Sequence, residues 1–152
     1  MRASILVCCL AILPEIAVPS PPPPPPEYID NIARELVENL TPQTFKAYSA
    51  NFADNLRVFV DGRELAADRK TWLTLERDRL GKFSRRVIGY AEGQDNILVV
   101  DEFDDISGCP ANSLCDPRLI TRAARYKFGP DHLIHELRFV QGGDILIPPS
   151  SK

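Results

Sequence analysis

Three ionisable residues in the second half of the chain, Asp101, Arg122 and His135, are the candidates for chemistry. Each lies in a stretch where apolar and polar residues alternate, and each takes a place in the apolar set. Asp101 falls in step with Ile97, Val99 and Phe103, Arg122 with Ile120, Ala124, Tyr126 and Phe128, and His135 with Leu133, Leu137 and Phe139. Turned into a pocket, Asp101 or His135 would activate water or remove a proton, and Arg122 would hold a carboxylate. The structural alternative is a buried ion pair beside a satisfied core histidine, since buried charges normally pair. Tyr48, Trp72, Tyr90 and Tyr126 are candidate pocket walls for a flat ligand, or else ordinary core aromatics.

Other charged clusters point to less. The run Asp101–Asp105 lacks the spacing and glycine of a calcium loop, and the cysteines lack the paired spacing of a zinc site, so no metal is expected. No phosphate-cradling glycine loop, nucleophile elbow or zinc-protease motif occurs, and no cofactor is implied. Arg85-Arg86 and the row Arg125, Lys127 and Arg138 could meet an anionic partner or form a solvated sheet face. The net charge of −3 argues against a dedicated nucleic-acid binder.

The elements that must position these residues fall into two groups. Ile29, Ile32, Ala33, Leu36, Val37 and Leu40 predict an amphipathic helix over Glu27–Leu40. Thr41-Pro42 opens a second helix carrying Phe45, Tyr48 and Phe52, and Leu56–Val60 is a short strand turned by Asp61-Gly62. Asp68 caps a third helix through Trp72, Leu73, Leu75 and Leu80, ended by Gly81. The period then changes to two, giving strands at Arg85–Ala91, Asn96–Asp104, Leu119–Phe128 and Leu133–Val140. Helices first and a meander afterwards predict an α+β fold with helices on one sheet face.

Ahead of the folded part, Arg2 precedes an uncharged apolar stretch, Ile5–Leu13. A nine-residue helix rises only about 13–14 Å against a bilayer core of ~30 Å, so no membrane span is expected. The layout matches a secretory signal over residues 1–20, with a mis-assigned start or an apolar tail as the alternative. Pro21–Pro26 predicts a stiff polyproline II spacer of about 19 Å, alternatively a ligand for an aromatic-lined groove. The domain then covers residues 27–143 and a loose tail residues 144–152. Cys109 and Cys115 enclose five residues; outside the cytoplasm they would form a disulfide worth up to about 2 kcal/mol, and otherwise two free thiols.

This order of elements resembles the nuclear-transport-factor-2-like superfamily, including its SnoaL-like domains. The local matches are Phe52-Ala53-Asp54-Asn55 closing the second helix, Asp61-Gly62-Arg63-Glu64 before the third, and Tyr126-Lys127-Phe128 leading through Asp131-His132 to Glu136-Leu137-Arg138-Phe139. The resemblance implies N-terminal helices packed on a curved antiparallel sheet, a cone-like, cystatin-like roll with an internal pocket, often paired as a homodimer through the sheet. It includes isomerases, cyclases, hydrolases and non-catalytic binders, so it does not imply one reaction. Ketosteroid isomerases of the superfamily use an aspartate base with a tyrosine and a protonated aspartic acid; those positions fall here at Val60, Leu36 and Thr121 or Ala124, none of which can serve. Its epoxide hydrolases use an Asp-Arg-Asp arrangement whose spacing is not matched here.

These observations favour a secreted or periplasmic module that binds an apolar small molecule or assists assembly, and lean away from catalysis. The alternative is a small pocket enzyme, a hydrolase, cyclase or isomerase, using Asp101, Arg122 and His135.

Overall fold

The computed structural model describes residues 21–38, 40–80, 82–105, 118–142 and 145–146. The leader-like residues 1–20, Gly81, Cys109, Cys115 and the final residues lie outside that set. The bridge expected between Cys109 and Cys115 falls on residues outside that set.

Pro21–Pro26 runs into α1 (Glu27–Val37), whose Ile29, Ala33 and Leu36 recur at helical spacing and are fully buried. The polyproline run is tied down, because the Gln94 side-chain amide donates to the carbonyls of Pro23 (2.9 Å) and Pro24 (3.1 Å). Thr41 and Thr44 bond each other's backbone N–H through their hydroxyls, closing the turn that leads to α2 (Phe45–Ala50).

Phe52-Ala53-Asp54-Asn55, expected to end a helix, instead begins β1 (Phe52–Val60). A parallel partner captures this segment: Ile134 N–H donates to the Asn51 carbonyl at 2.8 Å, and Phe52 pairs with Ile134. A strand partner distant in sequence leaves no local signal, and here it overrides local helix propensity. Asp61 (φ 48°) and Gly62 (φ 81°) both adopt positive φ and turn the chain tightly into β2 (Arg63–Ala66). The α3 helix (Arg69–Arg79) is capped as its sequence predicts, with Asp68 accepting from Thr71 N–H at 2.7 Å.

Four longer strands follow: β3 (Phe83–Glu92), β4 (Asn96–Asp105), β5 (Arg118–Phe128) and β6 (Ile134–Gln141), then the short β7 (Ile145–Leu146). The sheet order is β2-β1-β6-β5-β4-β3, with β7 continuing along β5. Two features correct the expected antiparallel cone-like roll. The β1–β6 pair is parallel, which makes the sheet mixed, and the strand path ends at two separate edges, β2 and β3, so the sheet is open.

One face of the sheet buries Leu56, Val58, Ile97, Val99, Ala124, Tyr126, Leu137 and Phe139 beneath the helices, with Trp72 and Leu36 contributed from α3 and α1. The opposite face exposes Leu98 and Val140, and the edge strand β3 leaves Ile88 and Tyr90 exposed. A homodimer through this face was expected, but nothing among the described residues supports it. No helix among the described residues is long and apolar enough to cross a membrane.

Leu36 is fully buried where α1 meets the sheet. Leu36→Ala is expected to lower unfolding free energy by ~2–4 kcal/mol, read as a shift in urea midpoint. A change below ~1 kcal/mol would show that α1 is not part of the cooperative core.

Candidate functional site

The site grows from one cross-strand pair. Asp101 on β4 stands directly opposite Arg122 on β5, both facing the core. The guanidinium grips the carboxylate through two parallel bonds, Nε to Oδ1 at 2.9 Å and Nη2 to Oδ2 at 2.7 Å. Arg85, from β3, donates to the same Oδ2 at 2.9 Å, and its Nη1 reaches back to the Leu36 carbonyl (2.8 Å) and the Glu38 carbonyl (3.3 Å) at the end of α1. Asp101 therefore serves two guanidiniums. Asp101 is 0% exposed and Arg122 4%.

Arg122 stacks over Phe103 at 4.5 Å and faces Phe139 at 5.4 Å. Its Nη1 is buried with no hydrogen-bond partner among the described residues. Burial opposes its charge, but Tyr126 and the hydrogen-bonded carboxylate of Asp101 outweigh burial and raise its pKa above the ordinary guanidinium value.

Arg122, Arg85, Phe103 and Tyr126 form one wall of a cavity of about 50 Å³. Facing them across it are Tyr48 from α2, Glu76 and Arg79 from α3, and Leu40, Leu80 and Phe83. Glu76 is 7% exposed; Arg79 donates to its Oε1 at 3.2 Å and the Tyr48 hydroxyl to its Oε2 at 3.4 Å. Burial first, and the Glu76 charge second, hold the Tyr48 phenol well above its ordinary pKa; burial also raises that of Tyr126. Both hydroxyls stay protonated donors through the neutral range. A carboxylate, a donor phenol and a guanidinium sharing one small cavity can move a proton and offset negative charge.

His135 does not join this group. Lys127 pairs with Glu136 and Phe128 with Ile134, so His135 is the extra residue of a β-bulge and the alternation slips there. Ile134 and Leu137 face the core, while His135 turns over Gly129 and shares a 2.8 Å hydrogen bond with Asp131 near the surface. Of the four aromatic candidates, Tyr48 and Tyr126 line the cavity. Trp72 is fully buried against Phe139, and Tyr90, paired with Val99, lies exposed on the edge strand β3 and does not line the cavity.

Sequence reasoning missed Glu76 and Arg85. Glu76 follows Trp72 by four residues, one turn along the same helix face, and that spacing was the available signal. Arg85 was grouped with Arg86, yet neighbours in a strand face opposite ways: Arg86 pairs with Glu102 on the outer face.

No protein-family model and no curated protein matches the chain. Solved structures do. A provisionally assigned ketosteroid isomerase from Kribbella flavida DSM 17836 is 14% identical over 82% of this chain and 84% of its own, with a TM-score of 0.60. An LEH-like epoxide hydrolase from M. tuberculosis is 16% identical over 76% and 83%, TM-score 0.59. An NTF-2 like protein of unknown function from Burkholderia xenovorans LB400 is 12% identical over 80% and 88%, TM-score 0.58. These likenesses establish a nuclear-transport-factor-2-like, SnoaL-like fold. The leaning away from catalysis is corrected by the network of buried charged residues, Glu76, Asp101 and Arg122, gathered at this cavity.

Removing the Asp101 carboxylate strands two guanidiniums in the interior, so Asp101→Ala is expected to cost about 3–5 kcal/mol, and Asp101→Leu combined with Arg122→Met distinctly less. Urea denaturation checks this; equal costs would show that the pair is not coupled. The raised phenol pKa values give a second test. Unfolded tyrosine loses its proton near pH 10 while buried Tyr48 and Tyr126 keep theirs. Their stabilising contribution is therefore complete below pH 10 and lost as pH rises through the folded-state values. Tyr48→Phe is expected to flatten that alkaline loss of stability; an unchanged slope would count against burial of the phenol.

Proposed function

We propose that this protein is a small pocket enzyme, a hydrolase, cyclase or isomerase, acting by acid/base chemistry on a short, largely apolar molecule that bears oxygen. The observation carrying this reading is that the Glu76 carboxylate and the Arg122 guanidinium line the same small cavity. Asp101, itself held by Arg85, fixes the Arg122 plane through two parallel bonds.

Glu76 is the general base and acid. In a hydrolysis it takes a proton from water as the water oxygen bonds to carbon; the breaking C–O bond leaves its electron pair on oxygen, and Glu76 returns the proton there. In an isomerisation the same carboxylate removes a proton from one carbon and returns it to another. In either case Arg122 holds a substrate oxygen and offsets the negative charge gathering on the substrate, within a wall of low polarity. Tyr48, already donating to Glu76, fixes the carboxylate's orientation. The named activities of the structural neighbours, an epoxide hydrolase and an isomerase, lend support without choosing between the reactions. A cavity of about 50 Å³ holds on the order of three or four waters, so the substrate is short or the walls open for it.

The test is turnover of a panel of short epoxides, lactones and unsaturated carbonyl compounds, followed by mass spectrometry of the products. Glu76→Gln is expected to reduce the rate by about 100-fold or more, while His135→Ala leaves it unchanged. Full activity in Glu76→Gln, or dependence on His135, would overturn the assignment.

A further inference from the structure

The charges around the cavity do not balance. Arg79, Arg85 and Arg122 face two carboxylates, Glu76 and Asp101, which leaves an excess of one positive charge. The excess is centred on the driest part, where Arg85, Asp101 and Arg122 have side-chain exposures of 11%, 0% and 5%. An uncompensated charge held out of water is costly, and the unpartnered Nη1 of Arg122 adds a buried donor without an acceptor. One chemical group resolves both: an anionic oxygen acceptor entering the cavity.

The surroundings define the rest of that ligand. Arg122 is also a wall of a second cavity, of about 60 Å³, which shares Arg79, Phe83 and Phe103 with the first and adds Ile120 and Gln141. Those two rings stand edge to face with centroids 6.5 Å apart, and Ile120 adds an apolar surface. An anion at Arg122 thus meets the Phe83 and Phe103 rings from either cavity and has little room, which fits a planar carboxylate with a short hydrocarbon chain. A phosphate or sulfate brings more charge than the single excess cation.

We infer that the ligand of this cavity is a short-chain carboxylic acid, bound as its anion with an oxygen on Arg122 Nη1 and its chain against Phe83 and Phe103. This rests on the reading that the cavity is the reaction site, and it names the substrate oxygen held by Arg122 as a carboxylate oxygen. The reacting carbon then lies next to the carboxylate, on the side of Glu76.

The test is a titration of the ¹⁵N-labelled full chain with acetate, propionate and butyrate, each against its neutral amide at equal ionic strength. Propionate and butyrate are expected to bind about ten-fold or more tightly than their amides and to move the side-chain Nε–H resonance of Arg122. Glu76→Gln, which removes a competing negative charge, is expected to bind the acids at least as tightly as the unaltered protein. Arg122→Lys, which keeps the charge but loses the planar fork, is expected to lose most of the preference. Acids and amides binding alike, no binding of the acids, or an unmoved Arg122 resonance in the unaltered protein would each overturn the inference, whether or not the lysine variant folds. Binding is measured without turnover, so acid binding by a protein whose activity survives Glu76→Gln would sink the catalytic assignment and leave the ligand class standing.

Discussion

A carboxylate buried between two guanidiniums constrains this molecule more than any other interaction in it. Asp101 can lie in the interior only because Arg122 grips it with two parallel bonds and Arg85 closes over one of its oxygens. The three residues come from neighbouring strands, so the ladder across β3, β4 and β5 must keep its register for the group to exist. Arg85 also binds carbonyls at the end of α1, which couples helix position to the same charge group. Strand register, helix placement and cavity electrostatics thus depend on one another.

The cavity is what remains when α3 and the start of β3 are laid over that group. Trp72 fills the sheet-facing side of α3 and packs on Phe139; one turn later the same face presents Glu76. A leucine there would complete an ordinary core. A carboxylate there, supported by Tyr48 and Arg79, brings a second negative group to Arg122 and leaves the site one positive charge in excess. Placing polar groups where packing alone would favour apolar ones costs stability, and functional sites are where such departures concentrate.

Local pattern was a good guide wherever the determining contacts were themselves local. The spacing of Ile29, Ala33 and Leu36, the Asp68 cap, the Asp61-Gly62 turn and the period-two stretches all mark elements that form. The inward placement of Asp101 and Arg122 was legible for the same reason, since strand alternation is a local rule. It failed at His135, where one inserted residue relative to β5 reverses the face of everything before it. It failed again at Phe52, where the deciding partner lies some eighty residues downstream. Arg85 was hidden by its neighbour Arg86, and Glu76 was not singled out among the charged residues of α3.

The amino-acid sequence by itself determined the kinds of element, their order, and two of the charged groups that face inward, because hydrophobic period and capping chemistry act over a few residues. Tertiary structure alone decided that Asp101 meets Arg122 and Arg85 together, that Glu76 from a distant helix faces them, and that His135 does not. Those outcomes depend on long-range register, on a single bulge and on which residues share a cavity. The sheet's mixed, open form was settled at the same level, by the parallel contact of β1 with β6. Pairing between distant strands depends on the whole core closing at once, so no window of neighbouring residues carries it.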